Sequence, residues 1–330
     1  MELNSLSILS NQSGMRVTLL DYGATLMSVQ IPVNQKLREV VLGYDSLEKY
    51  MADKYYLGCT VGRFAGRIAN GTFHYRNKSY QLARNFNHRH HLHGGLKGFD
   101  KVVWHATSRH EKTSQSVEFD YFSKTGEENY PGNLAVKVTY TLTDDNELKI
   151  HYHAVTDQPT PINLTNHAYW NLAGAGSGDI LQHELKLFAD EYLVTDDDVI
   201  PTGEIASVTN TAYDFRQPKL MGLELQKING YDVCYVLPRR QKELQLVAEV
   251  RELKNNLTLK VFTTQPGMQF YTGNFLTQQR IANGKIMDRF SGFCLETQNF
   301  PDAMNHAHFP SAILMPGEVY AHETIYQLII

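Results

Sequence analysis

Alternation with a period of two is the pattern that most constrains this chain. SVEFDYF from Ser116, LAVKVTYTL from Leu134, ELKIHYHAV from Glu147, HELKLFA from His183 and LTLKVF from Leu257 place apolar side chains at every second position. A strand with that period buries one face and wets the other, so each segment needs a sheet to pack against. Turn signals at Asn70, Thr143, Pro201, Asn229 and Pro316 separate the strands, and helical periodicity is confined to short pieces such as SLEKYMA from Ser46. Two large sheets packed face to face bury so many half-apolar strands most simply. The expected fold is all-β, a large antiparallel β-sandwich with few short helices. With no fixed-period repeat, linker or compositional break, residues 1–330 read as a single domain.

The charge pattern narrows the partners. The 31 basic and 35 acidic residues are well mixed and give a net charge of -4, which leaves no cationic face for a phosphate backbone, so nucleic acid is not an expected partner. The N-terminus lacks the basic and apolar regions of a secretory signal, and no run approaches the roughly 20 apolar residues of a membrane span. A cytoplasmic location with no membrane association is expected. Cys59, Cys234 and Cys294 are far apart and odd in number, which suits buried reduced thiols rather than disulfides or a zinc knuckle. The glycines of AGAGSGD from Ala173 fit neither a dinucleotide fingerprint nor a P-loop.

NHRHHLHGG, residues 87–95, invites a metal reading. His91 and His93 form an H-x-H pair, but no carboxylate follows until Asp100, so a customary third ligand is missing locally. His88, His90 and His91 read as partly exposed loop residues. His93 stands directly before Gly94 and Gly95, whose bare backbones admit a close approach, and is expected to face a site.

Three segments carry polar groups where a strand's second face is expected. In NLTNHAYWNL, Asn163, Thr165, His167, Tyr169 and Asn171 alternate with Leu164, Ala168, Trp170 and Leu172, and a surface strand more often carries Lys and Glu than uncharged Asn, His and Tyr. In SGFCLETQNFPDA, Cys294, Glu296 and Gln298 oppose Phe293 and Leu295. Glu296 is then either a structural ion pair or a general base whose pKa is raised by burial. Gln269 and Tyr271 oppose Phe270, and Arg63 and Arg67 lie between glycines. Amides, aromatic rings and a guanidinium suit a polyhydroxylated ligand.

Taken in order, TVGRFAGRIANGTF, HHLHGGLKGFDKVVW, NLTNHAYWNL, GYDVCYVL, TTQPGMQFYTGN, GFCLETQNFPDA and PGEVYAHETIY closely resemble the aldose 1-epimerase, or galactose mutarotase, family from about Tyr22 to Tyr326. The resemblance implies a β-sandwich with an open sugar cleft and neither metal nor cofactor. It implies interconversion of the α and β anomers of free aldoses, with Glu296 of LETQ as general base and His167 of NHAY as general acid. Sugar contacts carry over to Arg67, His93, Tyr169, Asp232 and Gln269. Two positions depart from many family members: Gly66 stands where Asn precedes the arginine, and Val233 where His follows the aspartate. Acid–base chemistry is expected to survive both, with sugar selectivity left open. The competing readings are a glycoside hydrolase, which needs a second carboxylate at the chemistry, and a catalytically silent sugar-binding domain. Monomer and homodimer both stay open.

Overall fold

The computed structural model describes residues 5–238 and 243–330. Its largest sheet runs, in order, through His105–His110, Ser114–Ser123, Leu134–Thr143, Glu147–Thr156, Tyr320–Ile329, Thr258–Thr263, Gln245–Glu252, His183–Leu187 and Lys219–Leu220, every pairing antiparallel. All five alternating segments of the sequence fall in this sheet. In Leu134–Thr143 every second residue is buried, as period two requires.

Two smaller antiparallel sheets face it. One has the order Leu6–Ser10, Arg16–Leu20, Thr25–Val33 and Lys36–Glu39. The other has the order Pro201–Ser207, Glu191–Thr195, Asp232–Val236, Gly267–Tyr271 and Cys294–Gln298. Val136, Val138 and Ile150 of the large sheet, Val17 and Val29 of the first smaller sheet, and Val233, Phe270 and Leu295 of the second meet in one apolar cluster with Trp104 and Trp170. Each fully buried side chain of this kind contributes about 1.5–3 kcal/mol. The sandwich architecture is therefore present. Among the described residues the one α-helix is Leu47–Met51, within the segment that showed helical periodicity.

Two local expectations fail. Pro201 opens a strand, Pro201–Ser207, instead of a turn; at the first strand position its missing N–H costs no ladder bond. NLTNHAYWNL is not a long strand, because only Thr165–Asn166 joins a ladder, with Thr60–Val61. Asn163 and Trp170 make isolated bridges.

Candidate active site

The five-stranded sheet turns its polar face away from the core. Across three neighbouring strands Asp232 opposes Tyr271, Tyr271 opposes Cys294, and Gln269 opposes Glu296. Residues directly opposite one another share a face, so all five side chains emerge on one side while Val233, Phe270 and Leu295 enter the core. Loops complete the other wall. Arg67 begins a short pairing with His91–Leu92, and Gly66 accepts from His93 N at 3.1 Å, which draws the glycine–arginine loop and the histidine loop together. The result is a cleft of about 570 Å³ into which Arg67, His93, His167, Tyr169, Asp232, Gln269 and Glu296 all project.

At its floor, His167 Nε2 lies 3.6 Å from Glu296 Oε1. Both are almost fully buried. Arg67 donates to Asp232 Oδ2 at 3.0 Å, and Gln269 Nε2 donates to Asp232 Oδ1 at 2.6 Å, so both oxygens of that carboxylate are held by protein. The Arg67 guanidinium lies 4.7 Å above the centre of the Phe86 ring. Tyr169 contributes its ring to the floor, because its hydroxyl donates to the Tyr55 carbonyl at 2.9 Å. Arg67 Nε, Gln269 Oε1, Glu296 Oε2 and Gln298 Oε1 are buried without a protein partner. Buried polar atoms of this kind cost free energy unless something pairs with them. All four residues line the cleft, and their guanidinium, amide and carboxyl groups suit a ligand rich in hydroxyl groups.

Burial sets the charge states. It pushes the Glu296 carboxyl well above the ordinary range, with Asp232 adding to the shift and Arg67 opposing it. It also pulls His167 down to about 4, against a partial compensation from its own main chain and Asp232. His93 is driven well below the usual imidazole value by burial first and then by the positive charge of its neighbours, so it is neutral at pH 7.

His93, His167 and Glu296 offer three ligand atoms within 4.8 Å of one another, a spacing that suits a metal ion. The tautomer argues otherwise. His93 Nδ1 accepts the Gly66 N–H at 3.2 Å, which occupies the one lone pair of the neutral ring and leaves Nε2 as a donor. His93 is thus built to give a hydrogen bond rather than to ligate.

The other three loop histidines divide. His88 is exposed, but His90 and His91 are buried, contrary to expectation. His90 Nδ1 accepts from Asn70 N at 3.1 Å while Nε2 meets Asp198 at 3.2 Å. His91 donates to the Ala83 carbonyl at 2.8 Å and accepts from the Tyr130 hydroxyl at 2.7 Å. Both rings staple loop to loop. Arg63 is likewise internal: its guanidinium is spent on the carbonyls of Pro131, Gly132 and Ser123 and on Thr160. The polar face of NLTNHAYWNL is also mostly internal. Asn163 donates to the carbonyls of Ala65 and Asn299, and Asn171 to those of Gly178 and Ser291, so these amides replace missing ladder bonds. Only His167 and Tyr169 of that face reach the cleft.

Sequence reasoning passed over Tyr56, whose ring centre lies 4.6 Å from that of His93 and 5.9 Å from that of His167. It also passed over Phe86 and Lys101, which line the wall. These come from loops with no periodicity to flag them. Gln298 carried a signal, its place two residues beyond Glu296. Of the two departures, Gly66 lines the cleft at a φ of +85°, where an added Cβ would stand 3.0 Å from Pro301. Val233 points into the core and makes no part of the cleft wall. A second, smaller depression of about 350 Å³, lined by Gln265, Tyr320, Glu243 and His322 among others, shares no lining residue with this cleft.

The family model for aldose 1-epimerase matches residues 6–327. The chain is 48% identical to the galactose mutarotase of Sus scrofa over 314 residues, 94% of this chain and 90% of that protein. It is 39% identical to the aldose 1-epimerase of Escherichia coli (strain K12) over 330 residues, 97% of this chain and 94% of that one. Among solved structures, an aldose epimerase homologue from C. elegans superposes with a TM-score of 0.91 at 34% identity, covering 99% of both chains. A galactose 1-epimerase from Lactobacillus acidophilus does so with a TM-score of 0.86 at 29% identity, covering 99% of this chain and 94% of that one.

Proposed function

Because the chain belongs to the aldose 1-epimerase family, we propose that it interconverts the α and β anomers of free aldoses such as D-glucose and D-galactose, as a cytoplasmic enzyme of hexose metabolism. Glu296 is the general base and His167 the general acid. The observation that carries this reading is their 3.6 Å separation at the cleft floor. Anomerisation removes a proton from the C1 hydroxyl and adds one to the ring oxygen, and those two oxygens share a single carbon. An acid and a base must therefore stand almost side by side.

In the forward step Glu296 takes the C1 hydroxyl proton, His167 Nε2 gives its proton to the ring oxygen, and the bond from C1 to that oxygen breaks to leave an open aldehyde. Rotation about the bond between C1 and C2 presents the other face. Reversal of both transfers closes the opposite anomer. Each positioned proton-transfer group is worth about 10² to 10⁴ in rate. His93 Nε2–H and Arg67 hold the ring-oxygen side and adjoining hydroxyls, Asp232 anchors distal hydroxyls, and Tyr169 and Gln269 shape the floor.

A glycoside hydrolase places two carboxyl groups roughly 5–9.5 Å apart across the bond it cleaves. Here the partner of Glu296 is an imidazole, and Asp232 is engaged on both oxygens. Polarimetry tests the assignment. Freshly dissolved α-D-glucose or α-D-galactose should reach rotational equilibrium faster with the protein, and Glu296→Gln should remove about 10² to 10⁴ of that acceleration. Equal rates with and without wild-type protein on both sugars would overturn it, and release of reducing sugar from a disaccharide would favour the hydrolase.

A further inference from the structure

One strand braces the catalytic imidazole on both of its nitrogens. Cys294 and Glu296 lie two residues apart on Cys294–Gln298 and so share its cleft-side face. Cys294 Sγ is 3.6 Å from His167 Nδ1, and Glu296 Oε1 is 3.6 Å from Nε2. The thiol is completely buried, packed with Tyr169 and Tyr271, so it meets neither solvent nor sugar. The titratable groups around His167 are these two, His93, Tyr56, Tyr169 and Tyr271, with Arg67 and Asp232 adding charge from the cleft walls.

We propose that Cys294 is a positioning residue for His167: its sulfur accepts the Nδ1–H and fixes Nε2 as the nitrogen that exchanges its proton with the sugar ring oxygen. This rests on the assignment of His167 as the acid. An imidazole that donates through one nitrogen must keep its proton on the other, and the partner behind the ring decides which is which. A carboxylate at that place would also stabilise the imidazolium and weaken it as an acid. A neutral sulfur orients the ring without that penalty, and burial keeps the thiol protonated by driving its pKa far above the ordinary range. During ring opening the proton leaves Nε2 for the ring oxygen, while Glu296 takes the C1 hydroxyl proton. The Nδ1–H to sulfur contact is unchanged throughout.

The test uses the full chain with Cys294→Val, close to cysteine in shape but without a polar atom, and Cys294→Ser, which keeps an acceptor. Glu296→Gln and His167→Asn serve as references. Cys294→Val should lower kcat about 10-fold, the scale of losing a partner behind a functional histidine, with KM little changed and the pH–rate profile displaced. Cys294→Ser should recover most of that loss. Nitrogen-15 NMR should find His167 protonated at Nδ1 in the wild type, with that preference reduced in Cys294→Val. A Cys294→Val enzyme with wild-type kcat and pH profile, or Ser and Val variants impaired equally, would overturn the proposal. So would a wild-type spectrum with the proton on Nε2 alone in the neutral ring, a reading that stands even if the valine variant fails to fold. If Glu296→Gln and His167→Asn both keep full activity, the acid–base assignment itself falls. If those two are inactive and Cys294→Val is normal, only the role of Cys294 does.

Discussion

His91 and His93 sit two residues apart in one loop, and Arg63 and Arg67 four apart in another, yet one member of each pair is consumed by the fold and the other is left for a ligand. His91 has both nitrogens paired with protein, at 2.8 and 2.7 Å. His93 has one nitrogen pinned by a main-chain N–H and the other directed to the cleft. Arg63 gives both terminal nitrogens to buried protein acceptors away from the cleft, whereas Arg67 meets a carboxylate and an aromatic ring at the cleft wall; the Nε of each is unpaired. Residue type and local sequence do not separate the members of either pair. What separates them is where the groups are engaged: a side chain whose hydrogen bonds are made inside the fold is structural, and one held in place at the cleft wall is available to a ligand.

Substitutions can break this contrast. The largest effect expected is on folding, from Arg63→Leu, which strands several buried carbonyls and should cost about 3–5 kcal/mol in denaturant unfolding. Arg67→Leu, which strands only the Asp232 carboxylate at the cleft wall, should cost clearly less stability than Arg63→Leu but lose about 10- to 10²-fold in kcat/KM, the worth of charge-assisted hydrogen bonds to sugar. Equal destabilisation by the two would erase the distinction. In the histidine pair, His91→Leu should cost about 1–3 kcal/mol of stability by leaving Ala83 and Tyr130 unpaired, with activity per folded molecule preserved. His93→Asn should do the reverse.

The pH dependence sharpens the same point at the cleft floor. Glu296 and His167 titrate as a pair; burial leaves the shared proton mainly on Glu296, and the carboxylate–imidazolium form that opens the ring is the minor tautomer of that singly protonated pair. Burial lowers His167 to about 4 and raises Glu296, so the singly protonated window opens downward to about pH 4 and extends well above the normal carboxylate range. The profile of kcat/KM should be a broad bell, falling in acid as the second proton binds and in alkali as the last one leaves. A rate that kept rising monotonically above neutrality would argue against His167 as the acid. The smallest effect expected is that of added Zn²⁺, which should leave the initial rate nearly unchanged because the His93 lone pair is already taken; potent inhibition competitive with sugar would show that His93 ligates instead.

How much of this was legible follows from burial. The nine-stranded sheet announced itself because its strands are wet on one face, so hydrophobic alternation reported directly on exposure. The strands that carry the site, Gly267–Tyr271 and Cys294–Gln298, are buried at every position. There the alternation of polar and apolar types still assigned Gln269, Glu296 and Gln298 to the correct face. The same reasoning failed for Asn163 and Asn171, because an amide that repairs an irregular backbone and an amide that awaits a sugar look alike in a string of letters. His90 and His91, expected as partly exposed loop residues, are buried because each ring bridges its loop to others through both nitrogens, contacts that only the tertiary fold creates. Tyr56, with a φ of +60°, and Phe86 are brought to the cleft by loops that only the tertiary fold positions.

The short gap between Glu296 and His167 has a consequence for where the protons of turnover come from. Going from carboxylate and imidazolium to carboxylic acid and imidazole leaves the pair's net charge unchanged, so ring opening redistributes charge within the floor without importing any. Closing the ring on the other face returns both groups to their starting forms. The cycle is closed with respect to protons, and bulk buffer has nothing to deliver or collect.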